Sequence, residues 1–207
     1  LQRPFVMIDR PFKDLESSNY VSIDNVSAAE IATQHLIKLG RRRIAHITGM
    51  LTITDACDRL AGYQNALQAA GLPVQDELIA EGMFNYESGY AAMQRLLPRR
   101  PDAVFAANDM TAAGALAAVR EAGLRVPDDL SIVGFDDVDV ALQTTPPLTT
   151  VRQPIRTKGE MAARLLVDLI NGKFAAPQHI ILPTELVIRQ SCGAGANAAK
   201  GGDAHHS

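Results

Sequence analysis

Short apolar runs alternate with longer segments of helical periodicity along most of this chain. The apolar runs have the length of β-strands and fall at residues 5–8, 21–23, 44–47, 78–80, 103–106, 131–135, 148–151, 179–182 and 185–188. Several of the segments between them repeat apolar residues three or four positions apart, which is the period of a helix with one buried face. Together the two patterns predict an α/β fold, with a parallel sheet covered by helices on both faces.

Five of the intervening segments are predicted helices. Asn25 or Ser27 can cap the first, and Gly40 marks its end. The others are expected at residues 55–70, 86–97, 109–121 and 155–171. Alanine and glycine dominate the fourth helix between residues 112 and 118, which makes it thin enough to lie close to the sheet.

The composition is that of an ordinary globular protein. The 207 residues are 47% hydrophobic and 21% charged, which is enough apolar material for one or two domains with a buried core. Surfaces that bind nucleic acid are usually positively charged, whereas this chain has a net charge of −3. Any contact with DNA is therefore expected from a segment outside this sequence. The charged cluster Arg41–Arg43 is interpreted as a solvated turn rather than a DNA-binding patch.

Cysteine usage favours a cytoplasmic protein. Cys57 and Cys192 lie far apart and match no metal or redox spacing, which indicates reduced thiols. The sequence has no run of 18 apolar residues and no signal-peptide pattern, so no membrane association is predicted. Because residue 1 is not Met and a strand pattern begins directly after it, we expect the chain to begin inside a larger gene product. Residues 193–207 are expected to form a disordered tail without function.

Polar residues follow the predicted strands at the points where ligands bind in open parallel sheets. The candidates are Asp9 and Arg10, Arg59 at the start of a helix, Asn108 with Asp109, Asp136 with Asp137, and Arg152 with Gln153. Their carboxylates, amides and guanidinium groups supply the directional donors and acceptors that neighbouring sugar hydroxyls require. Phe84 offers an apolar face on which a sugar ring could stack, although a single Phe is more often part of a core.

A purely structural interpretation competes with this one. Asp109 and Asp137 are favoured as helix caps, and Asn108 could satisfy a turn. Polar ends on four different elements, at Asp9, Arg59, Asn108 and Asp136, are hard to explain as caps alone. The ligand-binding interpretation is therefore preferred for that set.

Enzyme motifs are missing from the sequence. No glycine-rich phosphate loop of the dinucleotide or nucleoside-triphosphate type and no nucleophile elbow occurs. His46 lies inside an apolar run and is interpreted as a hydrogen-bonded core residue, and no cluster has metal-ligand spacing. Asp136 and Asp137 are adjacent on an extended loop, so their side chains should diverge. No catalytic residue, cofactor or metal is predicted.

A series of segments in fixed order resembles the lactose-repressor/galactose-repressor (LacI/GalR) family of transcription regulators from Pro4 to Cys192. The matching segments are residues 6–11, 35–40, 43–45, 59–63, 87–90, 106–110, 123–137, 147–154 and 182–186. The resemblance implies a periplasmic-binding-protein-like fold of two Rossmann-like lobes with parallel sheets, joined by three crossovers, with a small-molecule effector between the lobes. The crossovers are expected near Ile23–Asp24, Gln153–Pro154 and Leu182–Pro183.

These crossovers divide the chain into domains. Residues 1–23 and 154–182 are expected to form a partial N-terminal lobe, and residues 24–153 and 183–192 the C-terminal lobe. In relatives of this family, about half a lobe, a hinge helix and a helix-turn-helix head precede the equivalent of Leu1. The N-terminal lobe is therefore expected to be incomplete here and to expose apolar surface.

The family resemblance also implies site residues and partners. Positions that contact the effector match Asp9, Arg10, Arg59, Asn108, Asp136 and Gln153, and Phe84 matches the aromatic residue that stacks on the sugar ring. Asn108 favours a sugar over a purine, because the purine-sensing branch has Gly there. The resemblance implies a homodimer that contacts operator DNA only through the missing head. The alternatives are a periplasmic sugar-binding protein of a transporter and a sugar-modifying enzyme.

Overall fold

The strands of this protein form two separate sheets, and the chain passes from one sheet to the other three times. The computed structural model describes residues 4–9, 18–174 and 176–194. Within these residues the smaller sheet has the order β1 (Met7–Ile8), β2 (Tyr20–Ile23), β8 (His179–Leu182), and the larger has the order β4 (Ile79–Glu81), β3 (Ile44–Thr48), β5 (Ala103–Ala106), β6 (Ser131–Asp136), β7 (Thr149–Arg152), β9 (Glu185–Val187). All strand pairs are parallel except β7 with β9, which is antiparallel. The predicted α/β fold with parallel sheets is confirmed.

The element boundaries follow the sequence pattern closely. The strands are β1 Met7–Ile8, β2 Tyr20–Ile23, β3 Ile44–Thr48, β4 Ile79–Glu81, β5 Ala103–Ala106, β6 Ser131–Asp136, β7 Thr149–Arg152, β8 His179–Leu182 and β9 Glu185–Val187. The α-helices are α1 Asn25–Lys38, α2 Thr54–Ala69, α3 Tyr86–Leu96, α4 Asp109–Glu121, α5 Val140–Gln143 and α6 Ile155–Ile170. Short 3₁₀ helices cover Asp76–Leu78 and Leu97–Arg99. The short helix α5 lies in a polar stretch for which no helix was predicted.

The larger sheet is buried on both faces because its side chains alternate between two helix layers. Ile44, Phe105 and Val133 pack with α1 and α2 on one face. Ile47, Val104 and Ile132 pack with α3 and α4 on the other. Helix α4 also approaches α3 closely, since a methyl group at Gly114 would overlap the Tyr86 carbonyl. The small residues of α4 therefore serve helix–helix packing as well as packing on the sheet.

The smaller sheet packs against α6. Val21 forms a small core with Ala162 and Leu165 of that helix. Several large apolar side chains around it stay exposed, among them Phe5, Val167, Ile170 and Ile181. This exposure agrees with the apolar surface expected for the N-terminal lobe. The chain passes between the sheets after β2, after β7 and after β8, and the division into lobes at these points stays a proposal.

The start of helix α1 differs from the prediction. Asp24 is the capping residue, because its Oδ1 accepts a hydrogen bond from the Ser27 amide at 3.0 Å. Neither Asn25 nor Ser27 caps the helix. Asn25 is instead buried, where its Oδ1 accepts a hydrogen bond from Arg59. Asp24, Asn25 and Ser27 are all residue types that cap helices, so the local sequence does not single out one of them. The contact with Arg59 explains why Asn25 is not the cap.

Candidate functional site

Six of the seven predicted ligand-binding residues lie close together at the carboxyl ends of the strands. Arg10 lies outside the described residues. The six, together with one residue that was not predicted, make up the inter-sheet cluster: Asp9, Arg59, Phe84, Asn108, Asp136, Gln153 and Lys158. Asp9 follows a strand of the smaller sheet and Asp136 ends a strand of the larger sheet, so the cluster connects both.

Arg59 is the buried centre of the inter-sheet cluster. Its Nε donates to Asn25 Oδ1 at 2.9 Å, and its Nη1 donates to the Ala107 carbonyl at 2.5 Å. The guanidinium carbon lies 3.7 Å from the centroid of the Phe135 ring, and Nη1 lies 3.8 Å from Asp136 Oδ1. Helix α2 brings Arg59 under the end of the sheet because Tyr63 and Leu67, on the same helix, are anchored in the core. The guanidinium group is thus fixed before any ligand arrives.

A chain of polar contacts runs from Arg59 across to the smaller sheet. Asp136 Oδ1 accepts a hydrogen bond from Gln153 Nε2 at 2.6 Å. Gln153 Oε1 accepts one from Lys158 Nζ at 2.7 Å, and Lys158 Nζ also forms an ion pair with Asp9. Asp9 and Asp136 both have positive φ angles, of 71° and 106°, which are uncommon for residues other than glycine. Uncommon backbone geometry at both ends of one polar chain is typical of a functional site.

Phe84 and Asn108 lie side by side at one edge of the inter-sheet cluster, where Phe84 supplies the apolar ring. The Asn108 Nδ2 donates to the Phe84 carbonyl at 3.0 Å, and its Oδ1 caps α4 by accepting from the Thr111 amide. The Phe84 ring lies directly over Gly49, where a methyl group would overlap it. Asn108 therefore does cap a helix, and its Nδ2 carries a second hydrogen besides the one donated to the Phe84 carbonyl.

Burial shifts the pKa values of three charged groups around this site. Burial lowers the pKa of Arg59, while the nearby Asp136 and Asp55 oppose that shift. Burial also raises the pKa of Asp136 and of Asp55, against the attraction of Arg59. Among the described residues, Asp55 Oδ1 and Asn25 Nδ2 are buried atoms without a hydrogen-bond partner. An acceptor and a donor without partners beside a fixed guanidinium group suit a ligand that carries hydroxyl groups.

Two acids that were favoured as helix caps have other roles. Asp109 is fully buried and accepts hydrogen bonds from Thr150 Oγ1 and from the Val138 amide, so it does not cap α4. Asp137 binds Arg152 and Arg189 at 2.7 and 2.5 Å. Its side chain therefore diverges from that of Asp136, as predicted, but the loop is not extended as expected, because both residues have positive φ angles. The cap interpretation of Asp109 and Asp137 was wrong.

Lys158, Asp55 and Phe135 belong to the site although none of them was predicted from the sequence. Lys158 is 3% exposed in the first turn of α6, where a buried cation opposes the positive end of the helix dipole. A basic residue in the first turn of a helix is the sequence signal for Lys158, but the exposed Arg156 in the same turn carries that signal too. Asp55 lies one helical turn before Arg59 and so on the same face of α2. Phe135 carries no such feature, because a Phe in an apolar strand is ordinary core.

The remaining polar candidates have structural environments. His46 is fully buried, and its Nδ1 lies 2.9 Å from the Phe105 carbonyl, which agrees with the predicted core role. Cys57 and Cys192 are both free. In the described ranges, no group of three or more His, Cys, Asp or Glu side chains could hold a metal ion. None of the described helices is long and apolar enough to cross a membrane.

A separate cavity of about 450 Å³ lies at the start of α1. Its lining includes Tyr20, Asp24, Asp58 and Ile181. It shares Asn25 with the surroundings of Arg59, but it contains no residue of the inter-sheet cluster. It is therefore a concave region apart from the cluster, against which the location of a bound ligand can be tested.

The chain is similar to proteins of one kind. The family model of the periplasmic binding protein-like domain matches residues 33–192. The HTH-type transcriptional regulator CelR of Thermobifida fusca is 45% identical over 191 residues, which cover 91% of this chain and 56% of CelR. The chain thus spans about half the length of the curated relatives that it matches.

Solved structures agree with the sequence relatives. The structure of a transcriptional regulator CelR–cellobiose complex superimposes with a TM-score of 0.88 at 44% identity, over 91% of this chain and 58% of that one. A regulatory protein of the LacI family from Chloroflexus aggregans gives a TM-score of 0.84 at 39% identity, over 92% of this chain and 69% of that one. These matches favour the regulators over the transport proteins. The chain belongs to the periplasmic-binding-protein-like domain family and, within it, to the LacI family of transcriptional regulators.

Proposed function

We propose that this chain is the sugar-sensing part of a transcription regulator and that the inter-sheet cluster binds its effector. The observation that carries the proposal is the placement of Arg59. It is buried, held by four groups of the protein, and close enough to Asp55, whose Oδ1 has no hydrogen-bond partner, for each charge to shift the pKa of the other. A fixed donor group beside an acceptor that lacks a donor matches neighbouring hydroxyl groups of one sugar ring.

The charges of the site favour a neutral ligand. Lys158 is already paired with Asp9, and Arg59 lies beside Asp136, so neither cation is left to neutralise an anionic ligand. Phe84 supplies an apolar face for the C–H groups of a ring. Cellobiose, the sugar of the similar CelR–cellobiose complex, is neutral and is the first candidate to test.

Effector binding between the two sheets would bias how they are arranged. The polar chain from Asp9 to Asp136 joins residues of both sheets, so a ligand that competes for these groups changes the contacts between them. In the whole protein we expect this change to alter the affinity for operator DNA, with a coupling of about 1–3 kcal/mol. Such a protein acts in the cytoplasm, has no enzymatic activity and needs no cofactor or metal.

We propose that the regulator is a homodimer that uses an apolar surface beside this site. Tyr86, Met110 and Leu142 are large apolar side chains that are between 39% and 63% exposed. They lie on α3, α4 and α5, and α4 packs against both other helices. Exposed apolar side chains on adjacent elements are typical of a protein–protein interface. A two-fold contact here would match a palindromic operator.

Thermal unfolding in the presence of neutral sugars tests the proposed function. The full chain is heated with cellobiose, glucose, galactose, ribose and lactose, each at several concentrations. A sugar at one hundred times its Kd should stabilise the fold by about 2.7 kcal/mol, which raises the Tm by roughly 5–11 °C for a chain of this size. If none of these sugars raises the Tm, the proposal is contradicted.

Variants separate binding at the cluster from binding elsewhere. Asp136→Asn should weaken the binding of the active sugar at least tenfold, because the amide loses an ionised acceptor beside Arg59. Arg156→Met is the matched control, since Arg156 is 92% exposed on α6. Equal sugar affinity in Asp136→Asn and Arg156→Met would show that the cluster is not the binding site.

A further inference from the structure

The loop formed by Asp136, Asp137 and Val138, here called the acidic loop, has a backbone that needs support. Asp136 and Asp137 have φ angles of +106° and +60°. Consecutive residues with side chains in this region are costly, and they persist only where the surroundings hold them. The conformation matters because it directs the Asp136 carboxylate toward Gln153 Nε2, at 2.6 Å, and toward Arg59.

The support comes from Asp109, beneath the loop. Its Oδ2 accepts a hydrogen bond from the Val138 amide at 3.0 Å, and its Oδ1 accepts one from Thr150 Oγ1 at 2.6 Å. A hydrogen bond from the Asp137 amide also lowers the pKa of Asp109 and so favours its ionised form. A carboxylate held by successive backbone amides is the arrangement found in anion-binding loops, but here the anion belongs to the protein itself.

The sheet leaves space for this carboxylate. Gly134 lies on β6, and a methyl group there would overlap Asp109 Oδ1. Gly134 pairs with Thr150 of β7, so the glycine that makes room and the threonine that donates are direct neighbours in the sheet. Asp109 is fully buried and cannot contact a ligand in the inter-sheet cluster. Its contacts nevertheless determine where the Asp136 carboxylate lies.

We propose that Asp109 is a positioning residue for effector recognition: its carboxylate holds the acidic loop in the left-handed conformation that presents Asp136 to the effector. This inference rests on the proposed function, because the consequence concerns the effector. The structural part, that the carboxylate of Asp109 controls the acidic loop, stands without it. Asparagine in place of Asp109 would offer an N–H group to neighbours that are themselves donors, which disrupts the support while keeping the shape.

The acidic loop should therefore be sensitive to pH. Burial raises the pKa of Asp109 to about 7, against the hydrogen bonds from Thr150 and Val138 that favour the ionised form. The charged groups that face Asp109 are Asp136, which raises this pKa further, and Arg59, on which Asp109 acts in turn. Asp137 is occupied by two arginines on the outer side of the loop. As the pH falls through about 7, Asp109 takes up a proton, and its hold on the loop weakens.

Nuclear magnetic resonance of the full chain tests the structural part without any ligand. In a sample labelled with ¹³C and ¹⁵N, the Asp109 carboxyl carbon and the Val138 amide should titrate with one common midpoint near pH 7. In Thr150→Val, which removes a donor to the carboxylate, that midpoint should rise, and in Thr150→Ser, which keeps the hydroxyl, it should return toward the original value. A Val138 amide that does not follow the Asp109 carboxyl would overturn the proposal.

Calorimetric titration with the sugar found active in the unfolding test examines the consequence. Asp109→Asn should weaken the affinity at pH 8 at least tenfold and remove the dependence of the affinity on pH around 7. Val119→Ala is the matched control, because Val119 is a fully buried residue of the same helix, away from the loop, whose truncation lowers stability alone. Equal affinities in the two variants would refute the role in recognition. If no sugar binds the unmodified chain, the proposed function fails while the magnetic resonance result still decides the inference.

Discussion

Replacing Arg59 with methionine should destabilise the fold far more than replacing a surface arginine. Methionine keeps most of the volume of the side chain, so the cavity that is left is small, and the loss reports mainly on polar contacts. The substitution removes the donors to Asn25 Oδ1 and to the Ala107 carbonyl, and it removes the cation beside Asp136. All of these acceptors lie in or next to the core.

The size of the effect follows from these contacts. A buried acceptor that loses its donor costs about 1–3 kcal/mol, and breaking a buried ion pair costs about 3–5 kcal/mol. The ion-pair distance of 3.8 Å is long and Asp136 is partly accessible to water, so we expect about 3–5 kcal/mol for the whole set. For a chain of this length that loss lowers the Tm by roughly 6–20 °C.

Urea unfolding measured by circular dichroism is the assay, with the m-value checked for constancy. Arg156→Met, whose side chain is 92% exposed, should lose less than about 1 kcal/mol. The double variant Arg59→Met/Asp136→Asn should lose less than the sum of the two single variants, because it no longer leaves a carboxylate without its cation. The loss in Arg59→Met should also be smaller at pH 5 than at pH 8, since burial raises the pKa of Asp136 and protonation removes the uncompensated charge. A loss in Arg59→Met as small as that in Arg156→Met would refute this reasoning.

Three further outcomes are expected. Gly49→Ala should weaken sugar affinity about tenfold, because the new methyl group displaces the Phe84 ring, whereas Gly159→Ala, with open space around it, should not change the affinity in the same titration. Burial lowers the pKa of His46 to about 4, so as the pH falls the unfolded chain binds a proton before the folded chain does. The free energy of unfolding should therefore fall by about 3 kcal/mol in total between about pH 6.5 and about pH 4. His46→Gln should lack this contribution in urea unfolding, and an unchanged dependence of the free energy of unfolding on pH in that variant would contradict it. Leu142→Glu should convert a dimer into a monomer in sedimentation experiments, and a dimer that persists would show that the contact lies elsewhere.

The larger sheet and its helices were predictable because the spacing of apolar residues in the sequence matches the residues that are buried in the structure. Helix α4 occupies Asp109–Glu121 as predicted, α2 differs from the expected range by one residue at each end, and α3 ends one residue early. Helices α2 and α3 have a stripe of buried residues, and all three helices are followed within two residues by glycine or proline, so the local sequence indicates where they end. The short strand Met7–Ile8 was predicted as longer, because apolar character continues where pairing to β2 does not.

Only some of the residues of the inter-sheet cluster were predictable from the sequence, and the contacts between them were not. The end of a strand marks Asp9, Asn108 and Asp136, since the carboxyl ends of parallel strands meet at one edge. Lys158 was missed because it lies within a helix, and only the tertiary structure shows that its ammonium group reaches Asp9. Asp109 was misassigned because the first residue of a helix is an ordinary position for an acid, while its actual partners come from β7 and the acidic loop, far along the chain.

A crystal structure of the chain with its active sugar would decide whether the inter-sheet cluster is the effector site. We expect sugar hydroxyls within hydrogen-bond distance of Arg59, Asp55 and Asp136, with the ring against Phe84. A sugar seated instead in the cavity lined by Tyr20, Asp24 and Asp58, with the contacts of Arg59 and Asp136 unchanged, would contradict this assignment.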